Sequence, residues 1–174
     1  MKIQIQNTEH KDIPTIFDLY DEAIEYQKQV GNYHWLGFEE ALVKNEIDEN
    51  RHYRVLLNET IVGTFVITFN DPLIWKLAQD EPAIYIHRIA TAQSARGNDL
   101  VKHIVEWAKD YAVQHRLLFI RMDTGSGNDR LINYYARCGF TVIDTNTTVD
   151  YTPDTPAHYQ HGVFTLLEMP VKLR

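Results

Sequence analysis

Ala95-Arg96-Gly97-Asn98-Asp99-Leu100 joins an apolar run, Ala83 to Ala90, to a stretch of helical periodicity from Leu100 to Tyr111. A strand that enters a helix through an Arg-Gly turn aims several backbone N–H groups and the positive end of the helix dipole at one place, which is anion chemistry. A phosphorylated ligand is the expected occupant. A second glycine turn, Gly125-Ser126-Gly127-Asn128, precedes another short helical pattern. It does not fit the commoner nucleotide loops, because no Gly-Lys-Ser/Thr follows and the third glycine of the dinucleotide fingerprint is missing. Taken alone, each turn reads equally well as a plain strand-to-helix connection, and only the pair together points to binding.

The elements that must hold these turns can be read from periodicity. Ile3 and Ile5 alternate with polar residues as a first strand, and Thr8 to Asp12 supplies cap-type residues before Pro14. Ile13, Ile16, Phe17, Tyr20, Ala23 and Ile24 then recur at spacings of three and four, an amphipathic helix that stops before Gly31-Asn32. An aromatic link, Tyr33-His34-Trp35-Leu36-Gly37-Phe38, leads to a second helix from Glu39 to Glu49 carrying Ala41, Leu42 and Ile47. Tyr53 to Leu57 and Ile61 to Phe69 read as a hairpin turned by Asn58-Glu59. Ala83 to Thr91 is the next strand, and the helix opened by Asn98-Asp99 buries Leu100, Ile104, Ala108 and Tyr111 or Ala112. Leu117 to Met122 is a short strand, Asp123 to Gly127 a loop, and Asn128 the N-cap of a helix from Asp129 to Cys138 that Gly139 ends. Phe140 to Val149 and Val163 to Met169 close the chain as two apolar strands around a proline-containing loop, Asp150 to Gly162. The order predicts a mixed α+β sheet with helices on its faces, in a single domain over residues 1–174.

Composition narrows the partners. The 174 residues are 44% hydrophobic, enough to bury a core without staples. With 17 Lys plus Arg against 24 Asp plus Glu the net charge is −7, the wrong sign for wrapping nucleic acid. The apolar runs fall short of the roughly 20 residues a membrane span needs, and Met1-Lys2-Ile3-Gln4-Ile5 alternates like a strand instead of opening a signal peptide. No membrane partner and a cytoplasmic location are expected. The single Cys138 excludes an intrachain disulfide and reads as a small core residue. His158 and His161, at i, i+3 on a loop without a third ligand, give no ground for a metal site, so none is expected.

Ile84 to Phe140 resembles the core of the GCN5-related N-acetyltransferases (GNAT), whose acetyl-CoA motif runs strand, Arg/Gln-x-x-Gly-x-Gly/Ala loop, helix. Here that loop is Arg96-Gly97-Asn98-Asp99-Leu100-Val101. A second family signature, Asn followed seven residues later by Tyr-x-x-x-Gly-Phe, is met by Asn128 and by Tyr135-Ala136-Arg137-Cys138-Gly139-Phe140. Gly63 early in a strand and the order of elements extend the resemblance to nearly the whole chain. It implies a central, mostly antiparallel sheet of about seven strands flanked by about four helices. Two positions depart from it: Asp99 stands where glycine is usual, and Val101 where glycine or alanine is. An Asp at a helix N-terminus favours the helix but repels a pyrophosphate if it faces the same site. It can also turn outward, as a cap, with Arg96 offsetting its charge.

The resemblance implies an acetyl-CoA-dependent N-acetyltransferase acting on a primary amine of a small molecule or peptide by direct attack in a ternary complex. Its alternative is a protein of the same fold that binds CoA or an amine without turnover. Implied cofactor contacts are Ile89 and Thr91, which would pair with the pantetheine arm, the loop Arg96, Gly97, Asn98, Asp99, Leu100 and Val101, and Asn128 and Tyr135. Tyr135 is the implied proton donor to the departing thiolate, against a plain core aromatic. His87 is the candidate base, against a buried, satisfied histidine, because an imidazole of pKa about 6.5 could accept an ammonium proton. Strict alternation along the strand would keep His87 and Arg88 from facing the substrate together. Tyr33 and Trp35 are candidate acceptor-binding residues, suited to a cationic amine, or else a packing lid. A homodimer would cover the edges of the closing strands.

Overall fold

Asn58 and Glu59 both take left-handed backbone, φ +48 and +71. That is the turn geometry whose twist matches a tight hairpin, and it joins β2 (His52–Leu57) to β3 (Thr60–Thr68). β1 (Ile3–Asn7) adds antiparallel to β2, with Ile3 opposite Leu57 and Asn7 opposite Tyr53. The computed structural model describes residues 1–31, 33–76 and 80–173, the side chain of His158 excepted. Asn32, half of the expected helix stop, and the His158 side chain therefore lie outside the described residues.

Between β1 and β2 run α1 (Ile13–Gln29) and α2 (Glu40–Asp48). After β3 come β4 (Ala83–Thr91), α3 (Leu100–Gln114), β5 (Phe119–Gly125), α4 (Asp129–Arg137), β6 (Thr141–Thr148) and β7 (Val163–Pro170). The seven strands form one mixed, mostly antiparallel sheet in the order β1-β2-β3-β4-β5-β7-β6. β4 and β5 are parallel over Ala83–Tyr85, a pairing that requires a crossover and receives it from α3.

The chain packs as two compact units, Met1–Ile67 with Ile86–Trp107, and Thr68–Tyr85 with Ala108–Arg174. In the first, Ile13, Ile16, Leu19 and Tyr20 of α1 pack on Val43 and Ile47 of α2 and on Ala90 of β4, with Trp35 and Phe38 against them. The buried face of α2 is Val43, Glu46 and Ile47, while Ala41 and Leu42 are exposed. Of Ala41, Leu42 and Ile47, the apolar residues that mark this helix in the sequence, Ile47 alone lies on the buried face, because the neighbouring α1 meets the stripe through Val43. His52, fully buried, is hydrogen-bonded through Nδ1 to Thr8 Oγ1 (2.8 Å) and through Nε2 to Tyr20 Oη (3.0 Å). Gly63 has a packing reason: a Cβ there would lie 3.3 Å from the Ala90 carbonyl oxygen.

In the second unit the centre is polar. Arg121 is 1% exposed, its guanidinium lying over Trp75 (4.9 Å) and Phe119 (4.7 Å). It donates to Tyr85 Oη (2.9 Å), to Glu168 (2.8 Å) and to Glu81. β5 starts and ends later than the apolar run Leu117 to Met122 suggested, because its ladder with β7 continues to Gly125 opposite Phe164. Asp123 to Gly125 are therefore strand, and the loop shrinks to Ser126-Gly127; sheet pairing overrides residues whose composition suits turns. β6 is exposed along almost its full length, Val142 at 38% and Ile143 at 51%, so only β7 of the two closing strands is apolar and buried.

Candidate functional site

In the first unit β4 carries Arg88 at φ +49, a left-handed residue inside a strand. Such a residue breaks the pleat locally, as bulges do, so the alternation that was to separate His87 from Arg88 does not hold there. His87 is half-buried, and burial, then the positive charges of Arg88 and Arg51, push its imidazole down to about 4. It is neutral at physiological pH. Ile89 and Thr91 are half-buried, and beyond them Ala92 N–H returns to Val62 O at 2.8 Å.

A short 3-10 turn, Gln93–Ala95, brings the chain to the loop. The Asn98 side chain donates to Ala95 O (2.9 Å), closing the turn on itself. Gly97 has φ +85, with open space where a Cβ would stand. Asp99 has φ +51, the conformation for which glycine is the usual residue and which Asp tolerates better than most side chains. Its carboxylate leans to Lys102 Nζ (3.6 Å), both side chains more than half exposed, while its carbonyl accepts the helical bond from His103 N–H (3.3 Å). Asp99 thus faces outward along α3. Leu100 is buried in the core, so only its backbone can face a ligand. Arg96 lies over the Tyr26 ring at 4.5 Å, exposed. Arg96, Lys102 and the N–H groups of the first helical turn, aligned with the helix dipole, make this end of α3 positive. Lys102 went unread in the sequence, although its i, i+3 spacing from Asp99 signals such a pair.

In the aromatic link, Trp35 packs edge-on to Tyr20 (6.2 Å) and Phe38 (5.5 Å), and its backbone N–H donates to Gln27 Oε1 (2.9 Å). Tyr33 is 42% exposed. Trp35 is therefore partly buried against the core, and Tyr33 is the more exposed of the two candidates.

In the second unit Asn128 caps α4, its Oδ1 accepting from Leu131 N–H at 3.3 Å. The far end of α4 is a Schellman motif: Phe140 N–H reaches Tyr135 O (3.2 Å) and Gly139 N–H reaches Ala136 O (3.0 Å), with Gly139 at φ +107. The rings of Tyr135 and Phe140 meet edge-on at 6.3 Å, the apolar contact that accompanies this cap. Tyr-x-x-x-Gly-Phe is thus also the signature of a helix end. What the cap does not explain is the hydroxyl. Tyr135 is 7% exposed, and burial, then Tyr134, Cys138 and Asp123, raise its pKa well above the ordinary 10. It keeps its proton through neutral pH.

Two carboxylates of this unit were missed. Asp71 and Asp123 bring an oxygen of each within 4.8 Å of the other. Burial, with the charge of Asp71, pushes Asp123 up to about 7, and burial pushes Asp71 up to about 6. Asp71 read as a chain break before Pro72 and Asp123 as the start of a loop; neither carries a local signal of burial. The groove lined by His10, Ile13, Pro14, Phe17, Glu40 and Lys44 includes none of the expected site residues.

Comparison with known proteins gives a consistent result. The model of the acetyltransferase (GNAT) family matches residues 13–140. A streptothricin acetyltransferase of Escherichia coli is 30% identical over 97 residues, 55% of this chain and 49% of that protein, so the match spans about half the relative's length. An uncharacterized N-acetyltransferase of Bacillus subtilis, YesJ, is 23% identical over 80% of this chain and 82% of its own. The crystal structure of a GNAT-family acetyltransferase from Listeria monocytogenes superposes with a TM-score of 0.75 at 20% identity, covering 97% of this chain and 95% of that one, a likeness of fold.

Proposed function

Because the chain belongs to the acetyltransferase (GNAT) family, we propose that it is an acetyl-CoA-dependent N-acetyltransferase, acting through residues 1–174 as one domain on a primary amine of a small molecule or peptide. The observation that carries this reading is the backbone at Asp99: at φ +51 the loop keeps a glycine-like conformation, and the substituted carboxylate is turned to Lys102. A pyrophosphate fits the residues present, since Gly97 offers open space and Arg96, Lys102 and the helix N-terminus offer positive charge.

The roles follow from the chemistry. Acetyl-CoA supplies a thioester whose carbonyl carbon accepts the amine nitrogen as the C–S bond breaks, giving the amide and CoA. Main-chain groups of Ile89 and Thr91 bind the pantetheine arm in strand fashion and steady the carbonyl oxygen. The β4–β5 ladder over Ala83–Tyr85 supports this by ending short of them. Asn128 orients the arm with the amide nitrogen left over from its capping role. Tyr135 gives its proton to the departing sulfur and regains the one that the attacking nitrogen sheds as the amide forms, a relay suited to a phenol that stays protonated at neutral pH. His87 is the group proposed to take a proton from the incoming ammonium and pass it to water, and it does so against the burial and the Arg88 and Arg51 charges that hold its imidazole at about 4. Tyr33 and Trp35 hold the acceptor. The exposed Val142 and Ile143 of β6 are the surface a second copy would cover. Among the described residues no helix is long and apolar enough to cross a membrane, and the location proposed for the enzyme is the cytoplasm.

Calorimetric titration with acetyl-CoA, followed by thiol release over a panel of amines, tests the reading. Binding with release upholds it. Binding without release on any amine replaces it with the non-catalytic reading that Asp99 and Val101 favour, and no binding at millimolar acetyl-CoA removes both.

A further inference from the structure

We propose that Glu46 is the carboxylate that receives a cationic group of the acceptor, so that the preferred acceptor is a diamine or polyamine carrying a second positive centre besides the nitrogen to be acetylated. This rests on the acetyltransferase reading for its place at the acceptor side.

Glu46 lies on α2 among charged, solvated neighbours, yet it is 3% exposed and shares its face with Val43 and Ile47. Its Oε1 is bound by Arg88, whose guanidinium also reaches the Tyr20 hydroxyl at 3.5 Å. Its Oε2 is buried and has no hydrogen-bond partner among the described residues. Buried carboxylate oxygens without a donor are rare in native proteins and call for an explanation. Burial raises the Glu46 pKa, and the Arg88 charge and hydrogen bond oppose that rise. Protonation would not resolve the orphan either, since an Oε2–H needs an acceptor just as Oε2 needs a donor. A second donor is what the site lacks.

The surroundings specify a cation. Tyr20, Trp35 and Phe38 form a box with ring centroids 4.9 to 6.2 Å apart. The Arg88 guanidinium already lies 4.8 Å over Phe38 and 5.9 Å over Tyr20, so these rings face positive charge in the resting protein. A carboxylate with one oxygen on Arg88 and the other buried without a hydrogen-bond partner among the described residues has the makings of an arginine–carboxylate–cation triad. The net charge of −7 favours arrival of such an acceptor. Trp35 and Phe38 belong to the link 33–38, which is neither helix nor strand and turns at Gly37 (φ +107), where nothing crowds the backbone. Admission of a ligand beside Glu46 therefore disturbs a loop and leaves α1, α2 and β4 in place.

The test compares 1,5-diaminopentane with 1-aminopentane, probes with the same five-carbon chain that differ by one terminal ammonium group, by calorimetry on the full chain with CoA present. The wild type is expected to bind the diamine at least tenfold more tightly. Glu46→Gln should abolish that preference and Glu46→Asp restore part of it, with acetyl-CoA affinity unchanged in all three. Equal binding of the two amines by the wild type, or no diamine binding, overturns the proposal, as does a preference that survives in Glu46→Gln. Should Glu46→Gln fail to fold, with Arg88 left unmatched, the wild-type pair of titrations still decides. These readings need no turnover, so a chain that prefers the diamine but releases no thiol would fail as an acetyltransferase while the Glu46 assignment stood.

Discussion

Two helix openings carry the family match, and they are physically opposite. Arg96 to Leu100, at the start of α3, is wet: Arg96, Gly97 and Asp99 are exposed, and the charge of Asp99 is met by Lys102 on the surface. Asn128 to Phe140, around α4, is dry where it matters: Tyr135 and Phe140 are buried and the helix is fixed at both ends by its own hydrogen bonds. The first opening is defined by backbone shape and tolerates a changed side chain as long as φ stays positive. The second is defined by side chains, two of which also close a Schellman cap. A motif match at the first therefore speaks to what the backbone can bind, whereas a match at the second mixes stability with chemistry, and substitutions must separate them.

Tyr135→Phe separates them most sharply. The ring stays, so the edge-on contact with Phe140 and the cap survive, and only the hydroxyl is lost. The expected result is a fall in kcat of about 10²-fold with KM for acetyl-CoA little changed and the melting temperature nearly constant. An unchanged kcat would reduce Tyr-x-x-x-Gly-Phe in this chain to a helix end.

Acid–base behaviour should also differ between the two units. Asp123 is held up to about 7 in the folded protein by burial and by Asp71, against 3.8 for an unperturbed Asp. The folded state thus binds the proton more tightly, and the stability this contributes is present below about pH 4 and lost as the pH rises through about 7. Asp123→Asn removes the dependence, so the melting temperature of the variant minus that of the wild type should grow from pH 4 to pH 8, by roughly 10 °C. His52 in the first unit has the opposite sign, since burial lowers it to about 3 and its contribution is lost on acidification. A difference that stays flat in pH would mean that Asp123 is hydrated and ionised.

Asn128→Ala probes the dry opening from its other end. Loss of the Oδ1 cap to Leu131 N–H should cost about 1 kcal/mol of stability. If Asn128 also orients pantetheine, KM for acetyl-CoA rises beyond what the stability change explains, and Asn128→Asp, which keeps the cap but loses the amide donor, raises KM with the stability retained. A normal KM in both variants confines Asn128 to capping.

The contrast also explains what the residues alone could convey. Element order was legible because hydrophobic periodicity is a local property, and β4 falls where the run Ala83 to Thr91 placed it. The wet loop was legible as a spacing, and the outward turn of Asp99 was one of two readings that composition allowed. Facts that depend on a partner were not legible: the extension of β5 to Gly125 is imposed by β7, the choice of Val43 over Leu42 by α1, and the burial of Glu46, Asp71 and Arg121 by residues far away in the chain. Arg88 was misread for a related reason. The left-handed residue that breaks alternation in β4 is a non-glycine, and nothing in its type announces it.

Asp99→Gly is the smallest expected effect and the cleanest comment on the wet opening. At φ +51 glycine carries none of the steric cost that an L side chain meets, and glycine's entropy in the unfolded chain offsets part of that gain, so stability should move by less than about 1 kcal/mol. Removing the carboxylate frees Lys102 and takes one negative charge from the mouth of the helix. Both changes favour a pyrophosphate, but the groups are more than half exposed and the Debye length is about 10 Å at 0.1 M salt. Acetyl-CoA should therefore bind only about two- to fivefold tighter at low ionic strength, with the gain fading as salt is added. Unchanged affinity at low salt would show that the outward turn to Lys102 already removes Asp99 from the site. A gain that persists in high salt would instead place the effect in the backbone, as a better-formed loop, since conformational strain is not screened.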